Sequence, residues 1–140
     1  DGPDYAALDS KIKQYSLHKT IHMYPATTNI QSVYLNSSIF CFPSRYEGFS
    51  MALMEAMSYG LPAIAFKCPC GPSEIIENGI NGILVENKNI NDFAYELQKL
   101  MKDEKLREEY GIRAAMETKY KFNIDHIMKQ WVSLFNDLKS

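Results

Sequence analysis

Apolar positions set out most of the elements before any chemistry is considered. After the turn-forming Asp1-Gly2-Pro3, Tyr5, Leu8, Ile12 and Tyr15 recur at helical spacing and predict an amphipathic helix. Ile21–Tyr24 is a short apolar run closed by Pro25 and predicts a strand. Thr27, Thr28 and Asn29 are cap-type residues ahead of Ile30, Val33 and Tyr34, a short helix. Ser38-Ile39-Phe40-Cys41-Phe42, ended by Pro43-Ser44, predicts a buried strand. A loop through Phe49 leads to Ser50, which is placed to cap a helix running to Tyr59 and stopped by Gly60. Leu61–Phe66 is a further apolar strand, Lys67–Pro72 a loop, Ser73–Asn78 a short helix, and Gly82–Val85 a fourth strand.

Three helices complete the pattern. The first, near Asn91–Lys102, carries Phe93, Leu97, Leu100 and Met101 on one face. The second, near Glu104–Tyr120, is heavily charged, with a wide solvated face expected. The third holds Ile124, Ile127, Met128, Trp131, Leu134, Phe135 and Leu138 in a sustained i, i+3, i+4, i+7 stripe. Short buried strands alternating with helices predict a Rossmann-like, doubly wound α/β fold with a parallel sheet covered on both faces. In such sheets ligands sit at the carboxyl ends of the strands, which directs attention to the loops after Tyr24, Phe42, Phe66 and Val85.

Composition narrows the function classes. The 140 residues are 46% hydrophobic and 23% charged, enough for a real core and against intrinsic disorder. Fifteen Lys and Arg against seventeen Asp and Glu leave a formal charge of −2, which argues against a basic nucleic-acid binder. No apolar run approaches the roughly 20 residues that span a bilayer. Three cysteines make no disulfide framework, so a reducing, cytoplasmic setting is the default.

The chemistry concentrates in Pro43–Met57, where a strand's carboxyl end meets a helix start. A helix start exposes unpaired N–H groups and the positive end of its dipole. Gly48 lets a ligand approach the backbone, and the N–H groups of Ser50, Met51 and Ala52 are placed to cradle a phosphate. Glu47 precedes the helix and points toward the crevice. Glu55 stands in an otherwise apolar run, where a carboxylate needs a partner, and the vicinal hydroxyls of a ribose would suit it. A solvated Glu47 and an ion-paired Glu55 are the alternative reading of the same residues.

The segment resembles glycosyltransferase family 4, the group 1 retaining glycosyltransferases of the GT-B fold. Their signature is two glutamates separated by seven residues, as Pro-Ser…Glu-Gly-Phe…Glu-Ala-Met, and Glu47 and Glu55 match it. Gly60-Leu61-Pro62-Ala63-Ile64, Gly71-Pro72-Ser73-Glu74-Ile75-Ile76, Gly79-Ile80-Asn81-Gly82-Ile83-Leu84-Val85 and Asp1-Gly2-Pro3 resemble further family segments in the family's order, over essentially the whole chain. The resemblance implies the C-terminal, donor-binding part of an enzyme that moves a sugar from a nucleotide-diphosphate sugar to a glycan or lipid-linked acceptor, retaining configuration and needing no metal or other cofactor. It implies a catalytic Glu47 on the donor sugar and the backbone at Gly48, Phe49, Ser50 and Met51 on the diphosphate. Glu55 would hold the ribose, and Tyr24 would lie near the nucleobase. Gly71 and Glu74 are second-rank donor contacts, with Glu74 also placed to favour a helix dipole.

The family domain normally opens with a strand, a Gly-Arg turn, a Lys and a further helix and strand. That unit does not precede Asp1, and Pro25 replaces the usual nucleobase-loop Gly. In the family's 3-2-1-4-5-6 strand order the two missing strands are central, so Ile21–Tyr24 is expected to lose its neighbour. The expected picture is a single partial domain over 1–140, inactive alone, whose partner is the N-terminal acceptor domain of the same enzyme. Its expected setting is cytoplasmic, peripheral at the inner membrane face if attached at all, in bacterial polysaccharide assembly. A non-catalytic Rossmann-like nucleotide-binding or interaction module is the rival reading. Cys68-Pro69-Cys70 reads as loop thiols rather than a metal site, Cys41 as an inert core residue, and Trp131 and Phe135 as exposed without the second domain.

Overall fold

The structure is a computed structural model describing residues 2–138, and it comprises two units, 2–32 and 33–138. In the first, α1 (Tyr5–Gln14) is followed by Tyr15 as its cap and by Ser16 at φ 55. Its Asp9 and Lys13 pair at 2.6 Å on the surface, and none of its residues is buried. The strand predicted at Ile21–Tyr24 does not form: these residues carry no regular structure, and Ile21 and Tyr24 are exposed. Strands exist through ladder hydrogen bonds to a neighbour, and no described strand pairs with this run. Asn29 does cap α2 (Ile30–Leu35): its Oδ1 accepts from Ser32 N at 3.3 Å.

In the second unit β1 (Phe40–Phe42), β2 (Ala63–Lys67) and β3 (Gly82–Glu86) form a parallel sheet in the order β1-β2-β3. Phe42 is level with Ala65, and Lys67 with Glu86, so the carboxyl ends of the strands lie at one rim. Between and after them come α3 (Met51–Ser58), α4 (Pro72–Ile75), α5 (Ile90–Lys102), α6 (Glu104–Lys121) and α7 (Ile124–Asp137). β2 is buried on both faces, which explains its unbroken apolar run. One face packs Ala63 and Ala65 against Leu53 and Met57 of α3, Ile75, and Ala114 of α6. The other packs Ile64, Phe66, Ile83 and Val85 against Phe93 and Leu100 of α5 and Tyr110.

Two expectations need correction here. Cys41, expected in the core, is exposed. It shares a face with Ile64, its partner in the ladder, but β1 is the sheet's edge. The three-residue β1 is only half-buried, shorter than the predicted Ser38–Phe42. The charged α6 has a narrower inner stripe than its length suggests: Tyr110, Gly111, Ala114 and Thr118. The small residues there let α6 lie directly against the Gly60 turn that ends α3. Along α7 no residue is buried, and Trp131 and Phe135 are exposed as expected, their rings 5.7 Å apart.

Asn81 joins three of these elements. Fully buried, it accepts from Glu77 N at 2.8 Å and donates to Ile75 O at 3.3 Å and to Glu117 Oε2 at 2.6 Å. Removing one side of buried hydrogen bonds strands the others without water. Asn81→Ala is expected to lower stability by about 2–4 kcal/mol, read as a shift of the urea midpoint at unchanged slope.

Candidate functional site

Neighbouring strand tips bring two loops together. The loop after β1 carries Glu47, Gly48, Phe49 and Ser50 into α3, and the loop after β2 carries Cys68 and Gly71 into α4. Gly71, at φ 77 and ψ −85, lies hard against the first loop. A Cβ built there would stand 2.5 Å from Gly48 O and 2.6 Å from Ser50 Oγ. A third tip braces the same loop: Asn87, just past β3, donates to Arg45 O at 3.1 Å. Nothing in the sequence marked Asn87 for this, since an asparagine after a strand reads as an ordinary turn residue.

The start of α3 differs from the expected cap. Asn89, Asp103 and Asn123 cap α5, α6 and α7 with side-chain oxygens, but Ser50 makes no such bond to α3. Its hydroxyl is 1% exposed and has no partner. A buried, unpaired hydroxyl costs free energy and calls for explanation at a helix start left without a side-chain cap. Of the three N–H groups expected to face a phosphate, that of Met51 is turned back onto Phe49 O at 3.0 Å. Above Gly48 a Cβ would meet nothing, so the backbone is open to approach there. The Phe49 ring sits edge-on to Phe122 of the segment after α6, at 5.5 Å.

Glu47 is half-buried. Beside it lies the Cys68 thiol, 2% exposed, pushed up in pKa by burial and further by the Glu47 charge. That thiol is therefore protonated at neutral pH, and it points toward Cys70 O at 3.9 Å. Cys70 itself is exposed. Glu55, expected to be enclosed by apolar neighbours, is instead exposed: Leu53, Ala56 and Met57 turn inward and the carboxylate takes the outer face of α3. Its partner is the Tyr34 hydroxyl, which donates to Oε2 at 3.4 Å. Tyr34 went unrecognised in the sequence because its 21-residue separation from Glu55 is bridged only by folding.

The structure thus gathers Glu47, Gly48, Phe49, Ser50, Met51 and Gly71 at one helix start, with Glu55 one turn further along the outer face of α3. Glu74 is exposed in the first turn of α4, where a carboxylate favours the dipole. Tyr24 belongs to the first unit, where it is exposed beside His22. No group of three or more His, Cys, Asp or Glu among the described residues is placed to hold a metal ion. No helix among them is long and apolar enough to cross a membrane.

The chain as a whole is similar to known proteins. Residues 1–116 match the family described as glycosyl transferases group 1. The chain is 35% identical over 136 residues, 97% of its length and 38% of the relative's, to the amylovoran biosynthesis glycosyltransferase AmsD of Erwinia amylovora. It superposes with a TM-score of 0.90 and 31% identity on a crystal structure of a Staphylococcus aureus TarM variant in complex with fondaparinux, α-GlcNAc-glycerol and UDP, covering 96% of this chain and 27% of that one. It also matches the C-terminal domain of a group 1 glycosyl transferase, LpcC, from Francisella tularensis, with a TM-score of 0.76, 32% identity and coverage of 88% and 66%. The chain spans well under half the length of the curated relatives it matches first, 38%, 15% and 25%. The fold is that of the C-terminal half of GT-B enzymes, and the chain belongs to the group 1 glycosyltransferase family.

Proposed function

We propose that this chain is the donor-binding part of a family 4 transferase that passes a sugar from a nucleotide-diphosphate sugar to a glycan or lipid-linked acceptor with retained configuration. The observation that carries the proposal is the uncapped start of α3, with a buried unpaired hydroxyl at Ser50 and a carboxylate on either side. An anion of two phosphates suits the helix end, and hydroxyl-rich groups suit the two glutamates. In this reading Glu47 faces the donor sugar, the backbone of Gly48, Phe49 and Ser50 meets the diphosphate, and Gly71 shapes the floor. Glu55 holds the ribose and Glu74 stands in second rank. No metal is given a role, and the acceptor half is assigned to a further domain, without which this part is inactive. UDP in the TarM complex supports a nucleotide-sugar donor, and a relative named capsular polysaccharide biosynthesis glycosyltransferase CapM, of Staphylococcus aureus, supports bacterial polysaccharide assembly. A cytoplasmic setting, peripheral to the inner membrane, belongs to the same proposal.

Calorimetry with UDP and with GDP on the full-length protein tests it. Hydrogen bonds to a charged group contribute about 1.5–3 kcal/mol, so Glu55→Gln is expected to weaken nucleotide binding by about 10- to 100-fold. Glu47→Gln is expected to leave UDP or GDP affinity within about twofold while transfer falls by about 100-fold or more, since its contact lies at the reacting sugar. Absence of binding to either nucleotide, or unchanged binding by Glu55→Gln, would favour the non-catalytic module instead.

A further inference from the structure

We propose that Tyr34 is a positioning residue for Glu55: its hydroxyl, held rigidly from below, donates to Oε2 and sets the carboxylate in the orientation that receives a vicinal diol. The inference rests on the assignment of Glu55 to the ribose and adds the device that orders it. A glutamate on the outer face of a helix spreads over many rotamers, and a ligand that needs both oxygens at once must freeze them. One fixed donor on the protein side removes much of that freedom before the ligand arrives.

Tyr34 is built to be such a donor. It is 6% exposed, although its neighbours Val33 and Leu35 on α2 are exposed. Its ring meets the edge of Phe40 at 6.2 Å and the ring of Tyr59 at 5.5 Å. Phe40 belongs to the strand that leads to Glu47, and Tyr59 caps the helix that carries Glu55. The phenol is therefore braced by the strand that leads to Glu47 and by the end of the helix that carries Glu55. Burial raises its pKa and the charge of Glu55 raises it further, so it stays protonated and serves Glu55 only as a donor. A carboxylate has about four lone-pair sites, and a single bond to Oε2 leaves the others for two ligand hydroxyls. The 3.4 Å separation is long for O–H···O, as is common in ligand-free sites that tighten on binding.

Tyr34→Phe keeps the ring packing and removes only the hydroxyl. In the full-length protein its urea midpoint is expected to match that of the parent. Affinity for whichever of UDP and GDP binds is expected to fall by about fivefold, and the donor KM to rise by the same factor with kcat within about twofold. The 2′,3′-dideoxy form of that nucleotide, lacking the diol, is expected to bind both proteins equally. In a Glu55→Gln background the Tyr34→Phe change is expected to add nothing, because the two residues act as one unit. Equal weakening of ribo- and dideoxynucleotide, or no weakening of either, overturns the positioning role. If Glu55→Gln itself leaves ribonucleotide binding unchanged, the ribose assignment falls and this inference with it. If Glu55→Gln weakens binding and Tyr34→Phe does not, the inference alone is wrong.

Discussion

Gly111→Ala is expected to lower the stability of the folded chain by about 3–5 kcal/mol and its thermal midpoint by more than about 10 °C. In an exposed helix the same substitution would stabilise by about 1 kcal/mol, because glycine is the poorer helix former. Here the sign reverses. A Cβ at position 111 would stand 2.2 Å from Gly60 O and 3.3 Å from Gly60 C, both backbone atoms. Gly60 has little room to yield: it holds φ 78 as the stop of α3, and Leu61, which follows, is 4% exposed. Relief requires α6 to move off α3, opening the cluster of Leu53, Met57 and Ala114. Thermal and urea unfolding check this. A variant as stable as its parent, or more so, would mean that α6 does not cross the Gly60 turn as closely as described.

The second large effect falls on the site. Gly71→Ala is expected to weaken UDP or GDP binding in the full-length protein by about 100-fold, with a loss of folding stability of only about 2–3 kcal/mol. At φ 77 and ψ −85 the residue occupies a region that side chains avoid. An added methyl would press on Gly48 O and Ser50 Oγ, at 2.5 and 2.6 Å. The carbonyl and hydroxyl it displaces belong to the loop that starts α3, so the damage centres on the proposed phosphate cradle rather than on the core. Parallel measurement of nucleotide affinity and urea midpoint separates the two effects. A large stability loss with affinity intact among the folded molecules would show that Gly71 serves packing alone.

How much of this was legible in the sequence differs by element. β2, β3 and the helices α3, α5, α6 and α7 were predicted within a few residues, because each carries its own apolar period or run and its own stop or cap. Gly60 ends α3, Asn89 starts α5, and Asp103 starts α6. The short run Ile21–Tyr24 has an apolar strand's composition and no ladder, since pairing depends on a partner that local composition does not specify. Cys41 was misplaced for a related reason. A strand's residues tell which of them share a face, not whether the strand lies at the centre or the edge of its sheet.

The spacing of Glu47 and Glu55 around a glycine-bearing helix start was determined by the sequence alone, as were the layered α/β class and the family resemblance. These are short-range properties, carried by neighbours along the chain. Only the tertiary structure decided that Glu55 faces outward onto the Tyr34 hydroxyl, that Ser50 buries its oxygen instead of capping, and that Gly71 closes against Gly48. Each of those contacts joins elements whose separation along the chain is closed by packing, where side-chain volume and the demand of buried polar atoms for partners select among arrangements that the linear pattern leaves equal.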